Sequence, residues 1–134
     1  MDKYNYKIFY ILIILSFIIF IIDIQTKDTS ECIQKTSKKN KLIIVLFVHQ
    51  IVQVFGNFGW LFNNKIILII YLFVPLIVSL QWATNNNKCF LTQIVNKICG
   101  YNDNVYFNDI YQIIGLKRFS IWNNYLHYIY LAIV

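Results

Sequence analysis

Two long apolar segments with only three residues between them constrain this chain more than any other feature. Residues 42–62 and 66–84 are nearly unbroken runs of Ile, Leu, Val and Phe, and Asn63, Asn64 and Lys65 alone separate them. At 1.5 Å of rise per residue, each can cross the roughly 30 Å apolar slab of a bilayer as an α-helix. So short a connection permits only a tight antiparallel hairpin. Inside lipid a single segment can satisfy its own backbone N–H and C=O groups only as a helix.

The rest of the composition agrees. Hydrophobic residues make up 58% of the chain and charged residues 13%, against about 25% charged in ordinary soluble domains. A soluble fold of 134 residues could not bury that much apolar surface. The net charge of +6 does not mark a nucleic-acid partner, because the Lys and Arg residues flank the apolar segments instead of lining one face.

Residues 8–24 form a further apolar run, interrupted by Ser16 and Asp23. No small-x-small cleavage pattern follows it, so it reads as a retained span and not a cleaved signal peptide. Residues 25–41 read as a polar loop. After the hairpin, Phe90, Leu91, Ile94, Val95 and Ile98 fall at helical spacing, and Gly100 suits the C′ position. Phe107, Ile110, Tyr111 and Ile114 repeat the pattern. Both predict short helices lying in the interface plane. Residues 116–134 reach across the slab if Lys117 and Arg118 snorkel.

The expected fold is therefore all-α: one integral membrane domain over residues 1–134, a multi-pass transmembrane bundle of about four spans. Those spans are residues 8–24, 42–62, 66–84 and 116–134, with an interfacial region at 85–115. Pro75 predicts a kink in the third span. Gly56 and Gly59 allow a neighbouring helix to come close. Most of the basic residues flank the two long loops, which the positive-inside rule places in the cytosol. Cys32, Cys89 and Cys99 would then stay reduced. If Cys89 and Cys99 end one helix they stand about 15 Å apart, beyond disulfide reach.

Polar residues at membrane depth must face protein or water. Asp23, His49, Gln53 and Gln81 fall toward one leaflet, so they are expected to point inward and meet as a structural polar cluster. His49, Gln53, Gly56 and Trp60 share one helix face by their four-three-four spacing. The chain has two histidines, and His49 with His127 could ligate a haem between spans two and four. Tyr125, Tyr128 and Tyr130 place His127 in an interfacial aromatic belt instead. A proton relay through Asp23 and His49 is a further reading, and hydrogen-bonded packing outweighs both.

No CxxC pair, Gly-rich phosphate loop or serine elbow is present, so neither a metal site nor a familiar catalytic site has support. S-palmitoylation of an interfacial cysteine is compatible with this layout. An enzyme acting on lipid would need a nucleophile that the sequence does not single out.

His49, followed by a hairpin, then Trp82 and the collar Cys89, Leu91, Thr92 and Asn96, resembles a family of small uncharacterised multi-span membrane proteins known mainly from bacteria. That family carries a His in an early span and a Trp before a Cys-Pro-Leu-Thr collar, with an Asn a few residues on. Here Phe90 stands in place of the proline, and six residues separate Trp82 from Cys89. The likeness covers roughly residues 42–116. It implies a membrane-bundle fold with Trp82, Cys89, Leu91, Thr92 and Asn96 as an interfacial collar, and no activity.

The function expected from all this is structural: a non-enzymatic scaffold in a membrane or membrane complex, without cofactor. Its partners would be the lipid bilayer and other membrane proteins. The alternative is a small redox or proton-handling membrane protein using His49 and His127, with haem as its cofactor.

Overall fold

The computed structural model describes residues 2–85, 88–101 and 113, and of Pro75 only the backbone. The proposed fourth span at 116–134, His127 and the helical pattern at 107–114 (Ile113 apart) lie outside the described residues. Among the described residues the chain is all-helical, with no strand.

Its helices are α1 (Lys3–Gln25), α2 (Lys27–Lys35), α3 (Lys39–Phe58), α4 (Lys65–Thr84) and α5 (Phe90–Cys99), with a 3₁₀ turn at Gly59–Leu61 extending α3. Three of them are long and apolar enough to cross a membrane: α1, α3 with its 3₁₀ extension, and α4. They correspond to the segments expected at 8–24, 42–62 and 66–84.

Helix α1 packs antiparallel against α3. Its buried residues Leu12, Ser16, Ile19, Phe20 and Asp23 recur at three- and four-residue intervals, which puts them on one helix face. Ser16 returns its hydroxyl proton to the Leu12 carbonyl at 2.8 Å, so its burial leaves no donor unmet. The facing stripe on α3 is Leu42, Leu46, His49, Gln50 and Val54. Two apolar clusters result. Leu12, Ile19, Val54 and Phe62 form one, and Phe20, Cys32, Leu42, Leu46 and Val95 form the other. Phe20 and Phe47 meet edge to face beside the second, with ring centroids 5.3 Å apart.

At the hairpin, Asn64 caps α4: its side-chain oxygen accepts from the amides of Ile66 (3.0 Å) and Ile67 (3.2 Å). Asn63 donates its amide to the Asn5 side chain at 2.9 Å, joining the hinge to the start of α1. Tyr71 lays its ring over Gly59 and donates its hydroxyl to the Gly56 carbonyl at 2.9 Å. A Cβ on Gly59 would stand 2.5 Å from that ring, so the close approach expected at this pair is real at Gly59. Gly56 has open space on its Cα and contributes only its carbonyl. Helix α4 continues without interruption through position 75.

Three expectations need correction. Residues 25–41 are not a plain loop, because α2 occupies most of them. Asp28 in its first turn and Lys35 in its last match the helix dipole, while Thr29 and Cys32, three residues apart, give it a buried side. Second, α5 does not turn all five apolar residues outward. Val95 is fully buried against α3, with Ile98 beside it, so α5 is a lid packed on the bundle. Third, Cys32 and Cys99 are not reduced thiols: they form a disulfide with Cα atoms 5.3 Å apart.

Candidate functional site

The polar residues that the sequence gathered toward one leaflet collect where α1 ends and α5 begins. Asp23 is completely buried on the last turn of α1. Gln50 of α3 donates its side-chain amide to Asp23 Oδ2 at 2.9 Å, and Thr29 of α2 lies 3.4 Å from Oδ1. Each carboxylate oxygen therefore has a donor, as a buried carboxylate requires. Thr26, which starts α2, donates its hydroxyl to the Asp23 carbonyl at 2.8 Å and fixes the α1–α2 corner.

His49 sits next to Gln50 on the buried side of α3. Its Nε2 lies 3.2 Å from Gln53 Nε2. A glutamine amide can serve either state of the ring, offering nitrogen to a bare Nε2 or, turned over, oxygen to a protonated one.

Opposite His49 stands Cys89. Its position is built by the turn after α4. Gln81 and Asn85 both donate to the Lys88 carbonyl at 2.8 Å, and Asn85 also reaches the Gln93 side chain at 2.9 Å. This clasp presents Cys89 at the N-cap of α5. Burial pushes the thiol pKa up, but the hydrogen bond and charge of His49 and the amides of Thr92 and Leu91 outweigh it. The pKa falls from 9.0 to about 7.

The expected cluster is thus partly reorganised. Asp23, His49 and Gln53 do come together. Gln81 gives its amide to the Lys88 carbonyl, directly before Cys89, and makes no hydrogen bond to the other three among the described residues. Trp60 does not share their inward direction either: it is exposed in the 3₁₀ turn and donates to the Asn57 carbonyl at 2.9 Å. Of the collar residues, Trp82, Leu91 and Thr92 are half-buried, and Asn96 is buried beside Val95.

Sequence reasoning missed Gln50, the direct partner of Asp23. Adjacent polar residues on an apolar helix do signal an inward face, but only packing shows which one turns to α1. It also missed the pairing of His49 with Cys89, residues forty positions apart that no motif connects.

The haem reading needs both histidines. The His49 ring already faces Gln53 and Cys89, and the second axial ligand, His127, lies outside the described residues. What the described residues offer is a thiol beside an imidazole, with the buried Asp23 side chain behind it. The chain matches no family model, no curated protein and no solved structure.

Proposed function

We propose that this chain is a multi-pass integral membrane protein with a structural role, whose helices α2 and α5 form a cap fastened over one end of a helical bundle. The observation that carries this reading is the contrast in burial among the apolar helices. The apolar window is 28% buried in α1 and 33% in α3, but only 6% in α4. A helix as apolar as α4 with so little of it covered requires lipid, another membrane protein or this chain's own residues 116–134 against most of its surface. The region 116–134 would add the fourth span.

The same reading places the cap on an oxidising face of the membrane. Charge alone points the other way, since Lys27, Lys35, Lys38, Lys39, Lys41, Lys88 and Lys97 all belong to the capped end. A disulfide between Cys32 and Cys99, however, persists only where thiols are not kept reduced. We follow the bond, because a thiol pair answers chemically to its redox surroundings whereas charge bias acts on orientation only in aggregate.

Alkaline carbonate washing of membranes should leave the protein in the pellet. The purified protein should show no Soret band. A Soret band that His49→Ala abolishes would replace the structural reading with the haem one. For orientation, a membrane-impermeant maleimide applied to intact cells should reach Cys32 and Cys99 only after reduction. Labelling without a reductant would return the cap to the cytosol.

A further inference from the structure

The charge on the capped end is one-sided. Among its described residues seven lysines stand against two surface acids, Asp28 and Glu31, since Asp23 is buried. The one ion pair among the described residues joins Lys35 to Glu31 at 3.3 Å. The hinge end carries Lys3, Lys7 and Lys65 with Asp2.

Helix electrostatics accounts for two of the seven. Lys35 and Lys97 occupy the last turns of α2 and α5, where a cation meets the negative end of the helix dipole. The others have no such role. Lys38 stands at the N-cap of α3, with Lys39 and Lys41 in its first turn, where there is no acid and no side chain caps the helix. Cations at the positive end of a dipole weaken the helix they begin. Lys27 opens α2 at the same unfavourable end, beside Asp28. All four are exposed. Helix stability does not explain them.

Their depth does. Lys27 comes two residues after the end of α1, Lys38, Lys39 and Lys41 begin α3, and Lys88 comes four residues after the end of α4. Each of the three span ends that meet the cap is thus marked by lysine. With those spans across a bilayer, these lysines stand at headgroup level, where the stems lie along apolar surface and the ammonium groups reach phosphate. The place of Lys88 is fixed, because Gln81 and Asn85 both donate to its carbonyl at 2.8 Å. A soluble acidic partner approaches from the water above the cap, whereas lipid surrounds all three span ends.

We propose that the capped end binds anionic phospholipid: Lys38, Lys39 and Lys41 at the start of α3, with Lys27 and Lys88 at the neighbouring span ends, hold headgroup phosphates in the leaflet that the cap meets. The negative headgroups offset the charge gathered at the positive end of α3, so lipid stabilises the helix that the lysines alone weaken. This rests on the membrane placement of the three spans, which the carbonate wash tests separately. It holds whichever face of the membrane carries the cap.

The test titrates the full chain in a neutral detergent with phosphatidylglycerol or phosphatidylcholine of identical acyl chains, and counts bound lipid by native mass spectrometry. Phosphatidylglycerol should bind at least about tenfold more tightly, since each lysine near a headgroup contributes roughly fivefold. Raising the salt should shrink the preference. Lys38→Gln, Lys39→Gln and Lys41→Gln together should remove most of it, and Lys27→Gln with Lys88→Gln a smaller part. Lys3→Gln with Lys65→Gln at the hinge should leave it largely intact. An intact Cys32–Cys99 disulfide shows that each variant has folded. Unfolding midpoints give a second readout of opposite signs. Without lipid the triple variant should match or exceed wild type, because repulsion at the start of α3 is relieved. With phosphatidylglycerol, wild type should be the more stable. Equal affinity for the two lipids would overturn the proposal, as would an equal loss in the hinge pair or a triple variant destabilised alike with and without lipid. Oligo-glutamate binding the solubilised protein as tightly as phosphatidylglycerol would also overturn it, and assign the lysines to an acidic protein.

Discussion

The two ends of the bundle solve the same problem with different means. At the capped end, polar and covalent ties join residues far apart in the chain: Asp23 to Gln50 across 27 positions, Cys32 to Cys99 across 67, and Tyr101 to the Asp28 carbonyl across 73. At the hinge end the ties, long ones included, run through the main chain: Asn64 caps the helix that begins beside it, Tyr4 donates to the Leu61 carbonyl across 57 positions, the Asn63 amide donates to the Asn5 side chain across 58, and Tyr71 donates to the Gly56 carbonyl. Polar side chains at the hinge serve the backbone where it reverses. At the cap, Asp23, Gln50 and Thr29 also bond side chain to side chain, and each is costly without its partner. The cap should therefore be the cooperative end and the hinge the forgiving one.

The disulfide offers the largest way to break that contrast. Replacing both Cys32 and Cys99 by Ser reopens a link between residues 67 positions apart. Chain entropy assigns such a link about 4 kcal/mol in a free chain, and about 2–4 kcal/mol where detergent or lipid keeps the unfolded state tethered. Thermal unfolding in detergent, with and without reductant, measures it. Reductant should shift the wild type and leave the double variant unchanged.

Gln50→Leu comes next. It fits the apolar stripe of α3 but takes the donor from Asp23, and a hydrogen bond to a charged group is worth about 1.5–3 kcal/mol. Restoring Asp23→Asn in the Gln50→Leu background should recover part of the loss. A Gln50→Leu protein as stable as wild type would mean that Asp23 is held by something other than Gln50.

The hinge should respond less. Gly59→Ala drives a methyl into the Tyr71 ring and is expected to cost about 1–2 kcal/mol as the ring shifts, whereas Gly56→Ala meets open space and should fall within about 0.5 kcal/mol of wild type. Asn64→Ala removes the α4 cap for about 1 kcal/mol. Unfolding midpoints of the three variants, compared in one detergent, rank them. If Asn64→Ala matched the disulfide variant, the two ends would be equally cooperative and the contrast would fail.

The sequence by itself determined the helices that follow from hydropathy alone. Residues 42–62 and 66–84 became α3 with its 3₁₀ turn and α4, because a long apolar run leaves the backbone no other partner than itself. Gly100 was equally legible: it ends α5 at φ 69°, a left-handed conformation that glycine adopts without Cβ strain. The inward convergence of Asp23, His49 and Gln53 could also be read, since polar groups in apolar segments have few places to go. Tertiary structure alone decided the rest. Thr29 and Cys32 are too few to announce α2, and Val95 turned inward because α3 offered Leu42 and Leu46 to cover it. The pairing of Cys32 with Cys99, and the meeting of His49 with Cys89, depend on how α1 and α3 bring distant loops to one end of the bundle. Spacing along a chain reports which residues share a helix face. It does not report which face of another helix will be there to meet them.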